Sequence, residues 1–320
     1  TQMLNGNFDA IVQLVTPKRQ QLSTLNAGYA INKNHQLQTE VALSNSDFNT
    51  ISAIGDSTNI ALATSISYAG EIPIGKQKKI KLTNTIDYEY KPANFKTIER
   101  YRAIEFKRNW NTAYSSDTVT ESWLRAKSNL SFTNGTFTPF YNRLNSENYY
   151  GGDNVGFSFA YNNGSITSNA TSDLLLSKEN LSQSSYLRNN YVFKKKFKQF
   201  STGATFLQEI LNSRNSKTEE FKNNSFRFDE YGLNIATAVK NKKRQLLLSL
   251  GFRDDFEIKT NEMTKKSQAV YGTLKGLLEA DNKKNGIKYG VTYRSLQFNK
   301  AFETRAGENT LLANIDYKLH

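Results

Sequence analysis

The sequence predicts an all-β fold: a transmembrane antiparallel up-and-down β-barrel of about 16 strands, with short turns on one side and long loops on the other. Three observations lead there. Segments of about ten residues alternate apolar and polar side chains, which puts the two kinds on opposite faces of a strand. Short and long connections alternate along the chain. The face opposite the apolar one carries charges of both signs, as a wet or plugged lumen tolerates and a lipid face does not.

The strands read in order as 8–15, 22–31, 36–44, 60–69, 80–90, 122–133, 136–144, 155–161, 165–177, 185–193, 199–210, 226–239, 244–253, 268–279, 286–297 and 310–319. In the second, Leu25, Ala27, Tyr29 and Ile31 share one face; in the third, Leu37, Thr39, Val41 and Leu43 do. The fifth is more regular still, with Ile80, Leu82, Asn84, Ile86 and Tyr88. Tyr231, Leu233, Ile235, Thr237 and Val239 mark the twelfth; Leu246, Leu248, Leu250 and Phe252 the thirteenth. Leu311, Ala313, Ile315 and Tyr317 close the series. Helical spacing fits these stretches poorly.

Tight turns are expected at Asn134-Gly135, at Asn162-Asn163-Gly164, in the runs beginning at Lys194 and Lys240, and at 281–285. Asn-Gly and Asn/Asp-rich pairs supply the positive φ angles that hairpins need. Between them come longer connections at 145–154, 178–184, 211–225, 254–267 and 299–309. The alternation keeps its phase only if 91–121 is one long excursion or extracellular hairpin on the long-loop side. If 98–110 were a wall strand, the parity would break. The whole of 1–320 then reads as a single barrel domain, or as the barrel portion of a longer polypeptide. Thr1-Gln2-Met3-Leu4 reads as a mature or truncated end. Pro17, Pro73, Pro92 and Pro139 are expected at or near strand ends or loops, because proline cannot donate to a ladder.

Composition agrees with a one-sided apolar wall. Of 320 residues only 38% are hydrophobic, yet 12% are aromatic, with 17 Tyr and 20 Phe. No run approaches the ~20 apolar residues of a spanning helix. Without cysteine there is no thiolate nucleophile, disulfide or Cys-based zinc site. The net charge of +13 falls largely in short turns, such as Lys76-Gln77-Lys78-Lys79, and no nucleic-acid-binding module accompanies it. Solvated turns, facing anionic headgroups or a polyanionic partner, fit better than nucleic acid.

The candidate functional residues are the lumen-facing charges Glu40, Lys81, Asp87, Glu89, Arg125, Lys127, Arg188, Lys275, Glu279, Lys288, Arg294, Asp316 and Lys318. Enzyme chemistry is not expected. The two histidines are His35, in a turn, and His320, the last residue, and no phosphate-cradling or dinucleotide motif is present. No catalytic, cofactor-binding or metal-ligating residues are assigned. Gly151 and Gly152 read as a flexible loop.

One segment stands apart: Arg102-x-x-Glu105-Phe106-x-Arg108-x-Trp110-Asn111. It resembles a pattern of large uncharacterised outer-membrane β-barrel proteins of Bacteroidota. The resemblance spans about ten residues, together with the Tyr/Asn/Lys-rich strand style of the chain. It implies a barrel in a Gram-negative outer membrane. On the residues alone, Arg102, Glu105 and Arg108 can form an ion-pair network with Trp110 packed beside it.

The expected function is non-enzymatic: passage of a solute or exported polymer through a polar lumen, or a plugged barrel serving a secretion or assembly machine. Outer-membrane lipid is the expected partner, with lipopolysaccharide or other outer-membrane and periplasmic proteins beside it; no cofactor and no nucleic acid are expected. The alternative is a soluble, secreted β-rich binding or adhesive protein. It would show apolar residues meeting across two packed sheets rather than a belt outlined by aromatic ends.

Overall fold

A strand with two different faces is stable only when its neighbours present the same faces in register. The computed structural model describes residues 15–52, 54, 59–75, 79–112, 119–237, 244–279, 286–304 and 307–318. It meets that condition with one antiparallel sheet. The strands are β1 (Arg19–Asn32), β2 (His35–Asp47), β3 (Ile60–Ile74), β4 (Ile80–Lys91), β5 (Glu121–Phe132), β6 (Gly135–Ser146), β7 (Tyr150–Asn162) and β8 (Ile166–Glu179). There follow β9 (Ser182–Lys196), β10 (Phe200–Asn215), β11 (Phe226–Thr237), β12 (Arg244–Lys259), β13 (Glu262–Glu279), β14 (Gly286–Phe298) and β15 (Gly307–Lys318). Each pairs with its sequence neighbours in the order β1 to β15. The fold is therefore all-β and up-and-down, as expected. The first expected strand, 8–15, lies outside the described residues except for Val15.

The register keeps the faces continuous. Leu25 opposes Val41, Leu43 opposes Leu62, Ile66 opposes Tyr88 and Ile86 opposes Ala126. Farther on, Tyr191, Phe206, Tyr231 and Phe252 form one row across β9 to β12. Their rings meet at 5.7 Å (Tyr191–Phe206) and 5.1 Å (Phe206–Tyr231). Two residues nearer the long-connection end, a polar row runs through Asn189, Gln208, Asp229, Asp254 and Gln268. Asn189 donates to Gln208 at 2.9 Å and Gln268 to Asp254 at 3.1 Å. On the other side of the aromatic row the same face turns aliphatic, with Leu233, Ile235, Leu248 and Leu250 exposed. On β9 to β12 the apolar belt is thus edged by aromatic side chains on its long-connection side.

The long connections share one end of the sheet, but several are built as strand extensions. The expected loop 254–267 is a continuation of β12 and β13 closed by Thr260 and Asn261, both at positive φ (51° and 58°). Likewise 145–154 is largely strand, with Asn148 at φ 62° in its turn. Gly151 and Gly152 therefore lie in β7, not in a loop. Backbone groups projecting past the belt gain ladder partners this way instead of depending on water.

Pro139 departs from the expected placement, since it sits inside β6 and opposes Phe157 of β7. The β5–β6 ladder answers for it. Pairing runs from Glu121↔Ser146 to Lys127↔Phe140, then resumes at Leu130↔Phe137. A residue with no N–H is accommodated where one of its two ladders is interrupted.

Gly251 shows how closely the inner face is packed. It opposes Tyr271, whose ring lies across it, and Tyr271 Oη donates to Glu230 at 2.6 Å. A Cβ built there would enter the tyrosine ring. Gly251→Val is expected to displace Tyr271, break that hydrogen bond and destabilise the fold by about 1–3 kcal/mol, read from the urea unfolding midpoint.

Candidate functional site: an inward-folded segment on the charged face

The connection between β4 and β5 carries the site. After Lys91 the chain runs across the face opposite the aliphatic belt and forms one helical turn, α1 (Phe106–Asn109). The segment 98–110 contributes no strand to the wall. Asn111 ends the turn at φ 46°, a conformation asparagine tolerates better than most residues. Thr112 N–H then returns to Lys107 O at 3.0 Å.

This segment bridges strands that are far apart in the sheet. Near its start, Gln20 of β1 donates to Thr97 O at 2.9 Å, and Lys96 N–H reaches Ser44 Oγ of β2 at 3.2 Å. Near its end, Asn111 donates to Ser184 of β9 at 2.8 Å and Thr112 to Glu179 of β8 at 2.9 Å. Trp110 meets Trp123 of β5 at 5.9 Å and Tyr150 of β7 at 6.4 Å, both edge-on. Five adjacent strands span about 19 Å when flat. One short peptide thus touches β5, β7, β8 and β9 on the same face and ties them together across that width.

Apolar contact docks the segment. Phe106 and Trp110 belong to one buried cluster with Leu144, Tyr150, Leu175, Tyr186 and Leu211, one residue of this face from each of β6 to β10. Leu144 and Leu175 are fully buried. Tyr150 Oη donates to Trp110 O at 2.5 Å, satisfying a carbonyl at the end of the helical turn.

Charge fixes its position. Arg102 donates through Nη2 to Glu121 at 2.8 Å and through Nη1 to Glu89 at 3.3 Å. Glu89 also accepts from Tyr101 and Arg125. Asp87 lies 4.0 Å from Arg125. Both guanidinium groups, of Arg102 and Arg125, lie 4.6 Å from the Trp123 ring centroid. Glu121 has a side chain with no solvent exposure and Arg102 one of 9%. Burial works against the charge of Arg102, but Glu121 and Glu89 outweigh it and hold its pKa above the ordinary arginine value. Burial and the bond to Glu89 also raise the Tyr101 phenol, keeping it protonated as a donor.

The ladders place Glu40, Lys81, Asp87, Glu89, Arg125, Lys127, Arg188, Lys275, Lys288, Arg294 and Asp316 on this same face. The side chains of Glu279 and Lys318 lie outside the described residues. Asp87, Glu89 and Arg125 join the segment directly, and Arg188 approaches it through Asn109 at 3.5 Å while bonding Asp173. Glu40 lines a cavity of about 310 Å³ under the segment, together with Ser65, Glu89, Phe95, Thr97 and Tyr101.

Arg102, Glu105 and Arg108 do not form one network. Glu105, at the start of the helical turn, and Arg108, within it, form an exposed pair at 3.8 Å, while Arg102, before the turn, points to the wall. The carboxylate partners came from the strands on either side. Glu121 and Trp123 went unread as site residues, although their parity with Arg125 was a legible signal. Tyr150 and Tyr186 had no comparable signal, since they join only when the segment folds over them.

No family model matches this chain, and no curated protein matches it. Among solved structures, one similar chain is the crystal structure of Acinetobacter baumannii OccAB3. It has 8% sequence identity and a TM-score of 0.35, over 94% of this chain and 91% of that one. A likeness of that size carries no argument about either fold or activity.

The two tryptophans of the sequence, Trp110 and Trp123, both belong to this cluster. Arg102→Met should cost about 1–3 kcal/mol, because it withdraws a charged donor from a fully buried carboxylate. Undocking should appear as a red shift of tryptophan emission. Arg102→Lys should restore part of the native spectrum; an unshifted methionine variant would show that apolar packing alone holds the segment.

Proposed function

We propose that this chain is the wall of an outer-membrane β-barrel through which a polar solute passes, with the segment 92–112 folded inward as its constriction. The observation that carries the reading is a single sheet with two opposite faces. One is aliphatic and edged with aromatics, and the other is lined with charge and crossed by its own loop. Apolar side chains from Leu246 to Phe252 extend about 20 Å along β12, on the scale of the ~25 Å band that such barrels show to lipid. A carboxylate or guanidinium on the other face is compatible with a membrane only if that face encloses water.

The mechanism is selection without bond chemistry. A solute entering from the long-connection end meets the Arg102–Glu89–Arg125 network and passes beside the segment along Glu40, Ser65 and Tyr101. Charge and width together determine what crosses. A channel is favoured over a structural subunit of a secretion machine by the cavity that remains between segment and wall.

In planar bilayers the protein should conduct. Replacing 98–112 with a Gly/Ser linker should raise single-channel conductance by about twofold or more, since the narrowest part is removed. Unchanged conductance in a heat-modifiable, detergent-dependent variant would show that the segment is no constriction. A protein that stays monodisperse without detergent would sink the membrane reading and favour a secreted binding module.

The two faces of β12 can be compared directly. Leu248 is exposed on the aliphatic side and Ser249 faces inward. Leu248→Arg should cost about 2–4 kcal/mol in the bilayer and impair assembly, read as loss of the heat-shifted band, whereas Ser249→Arg should be tolerated.

A further inference from the structure

Positive charge is not spread evenly over the two ends of this sheet. At the long-connection end cations have carboxylate partners: Arg143 with Asp153 at 3.5 Å, Arg227 with Asp229 at 2.6 Å and Lys265 with Asp254 at 2.8 Å. At the short-turn end the balance is lost. Lys33 and Lys79 are exposed in the first two turns, and Lys194, Lys195, Lys196 and Lys198 surround the β9–β10 turn, all exposed. Acidic residues there are few among the described ones. Glu71 is already bound to Lys81 at 2.8 Å, and Asp316 stands opposite Lys288.

The β9–β10 turn adds aromatic side chains to this charge. Phe193, Phe197 and Phe200 are exposed, and the last two stack with centroids 4.5 Å apart. Lys195 shares the outward face of β9 with Phe193, and its Nζ lies 5.1 Å from the Phe197 ring. An aromatic ring beside a long-stemmed cation suits the boundary between hydrocarbon and headgroups, where the ring stays in the interface and the ammonium reaches outward.

We propose that the short-turn rim binds the headgroups of anionic phospholipids in the leaflet that it faces, with Phe193, Lys195, Phe197, Lys198 and Phe200 as the principal anchor. This rests on the membrane reading above. The chemistry recognised is the lipid phosphodiester, a compact anion that an ammonium group contacts as a point charge. A phospholipid fits better than an acidic protein. The cations of the β9–β10 turn stand beside exposed rings that face the belt side, and Lys33 and Lys79 carry the same charge along the rim to two further turns.

The test uses the full chain, purified in detergent and equilibrated with mixed micelles of equal phosphatidylglycerol and phosphatidylcholine. Lipid retained after gel filtration is quantified by mass spectrometry. The wild type should retain phosphatidylglycerol preferentially. Lys195→Gln/Lys198→Gln should reduce that preference by about fivefold or more, and high salt should reduce it in the wild type. Adding Lys33→Gln and Lys79→Gln should abolish it. A heat-modifiable wild type that retains both lipids equally overturns the proposal and leaves the barrel standing, as does a preference unmoved in the fourfold variant. A chain that needs no detergent and retains neither lipid overturns the membrane reading, and this proposal with it.

Discussion

Every feature of this molecule depends on one constraint: fifteen strands hold the same two faces in register from Arg19 to Lys318. Side-chain period in a strand is two, so a slip of one residue anywhere would invert everything downstream and place Arg125 or Arg188 on the aliphatic side. Among the described residues the register shifts between β1 and β2 at Ala30/Asn32, next to the hairpin turn, and between β12 and β13 at Asp255/Phe256. The latter irregularity lies beyond the aromatic row, where the outer face is already polar and an inverted side chain costs little.

The inward segment makes a second demand on the same register. Its docking surface comprises single residues of β6 to β10, each projecting from the inner face near the long-connection end. Such a surface cannot preform on any one hairpin. The arginine network adds direction to the apolar contact, because Glu89 and Glu121 belong to the two strands that the segment joins. Arg102 therefore fastens the excursion to its own base, and Trp110 fastens it across the charged face to β5 and β7. With both held, the described part of the connection, 92–112, has a defined position on the charged face.

The two ends of the sheet follow different electrostatic rules. At the long-connection end strands continue past the belt, and cross-strand ion pairs and amide bonds take up their charge. The short-turn end has little projecting strand on which to build such pairs. Its described turn lysines, Lys33, Lys79, Lys194, Lys195, Lys196 and Lys198, are left exposed with few carboxylates beside them.

Local periodicity alone determined most of the fold. Alternation in stretches such as Ile80–Tyr90 or Tyr231–Thr237 identifies a strand and its apolar face without reference to any neighbour, and the ladders agree residue by residue. Turn chemistry located the β7–β8 hairpin end for the same reason, with Gly164 at φ 86°. Asn134-Gly135, by contrast, turns without a positive φ, and the expected turns at 240–243 and 281–285 lie outside the described residues. Tertiary structure alone decided the rest. Loops and strand extensions look alike in sequence once both are polar, so only pairing showed that 254–267 continues β12 and β13. Pro139 was tolerated within β6 because its partners could forgo one stretch of ladder. Arg102 found Glu89 and Glu121 rather than Glu105 because ion pairs depend on distance in space: the β4–β5 ladder sets those two carboxylates side by side, and the segment folds back over them to bring Arg102 within 3.3 Å of both.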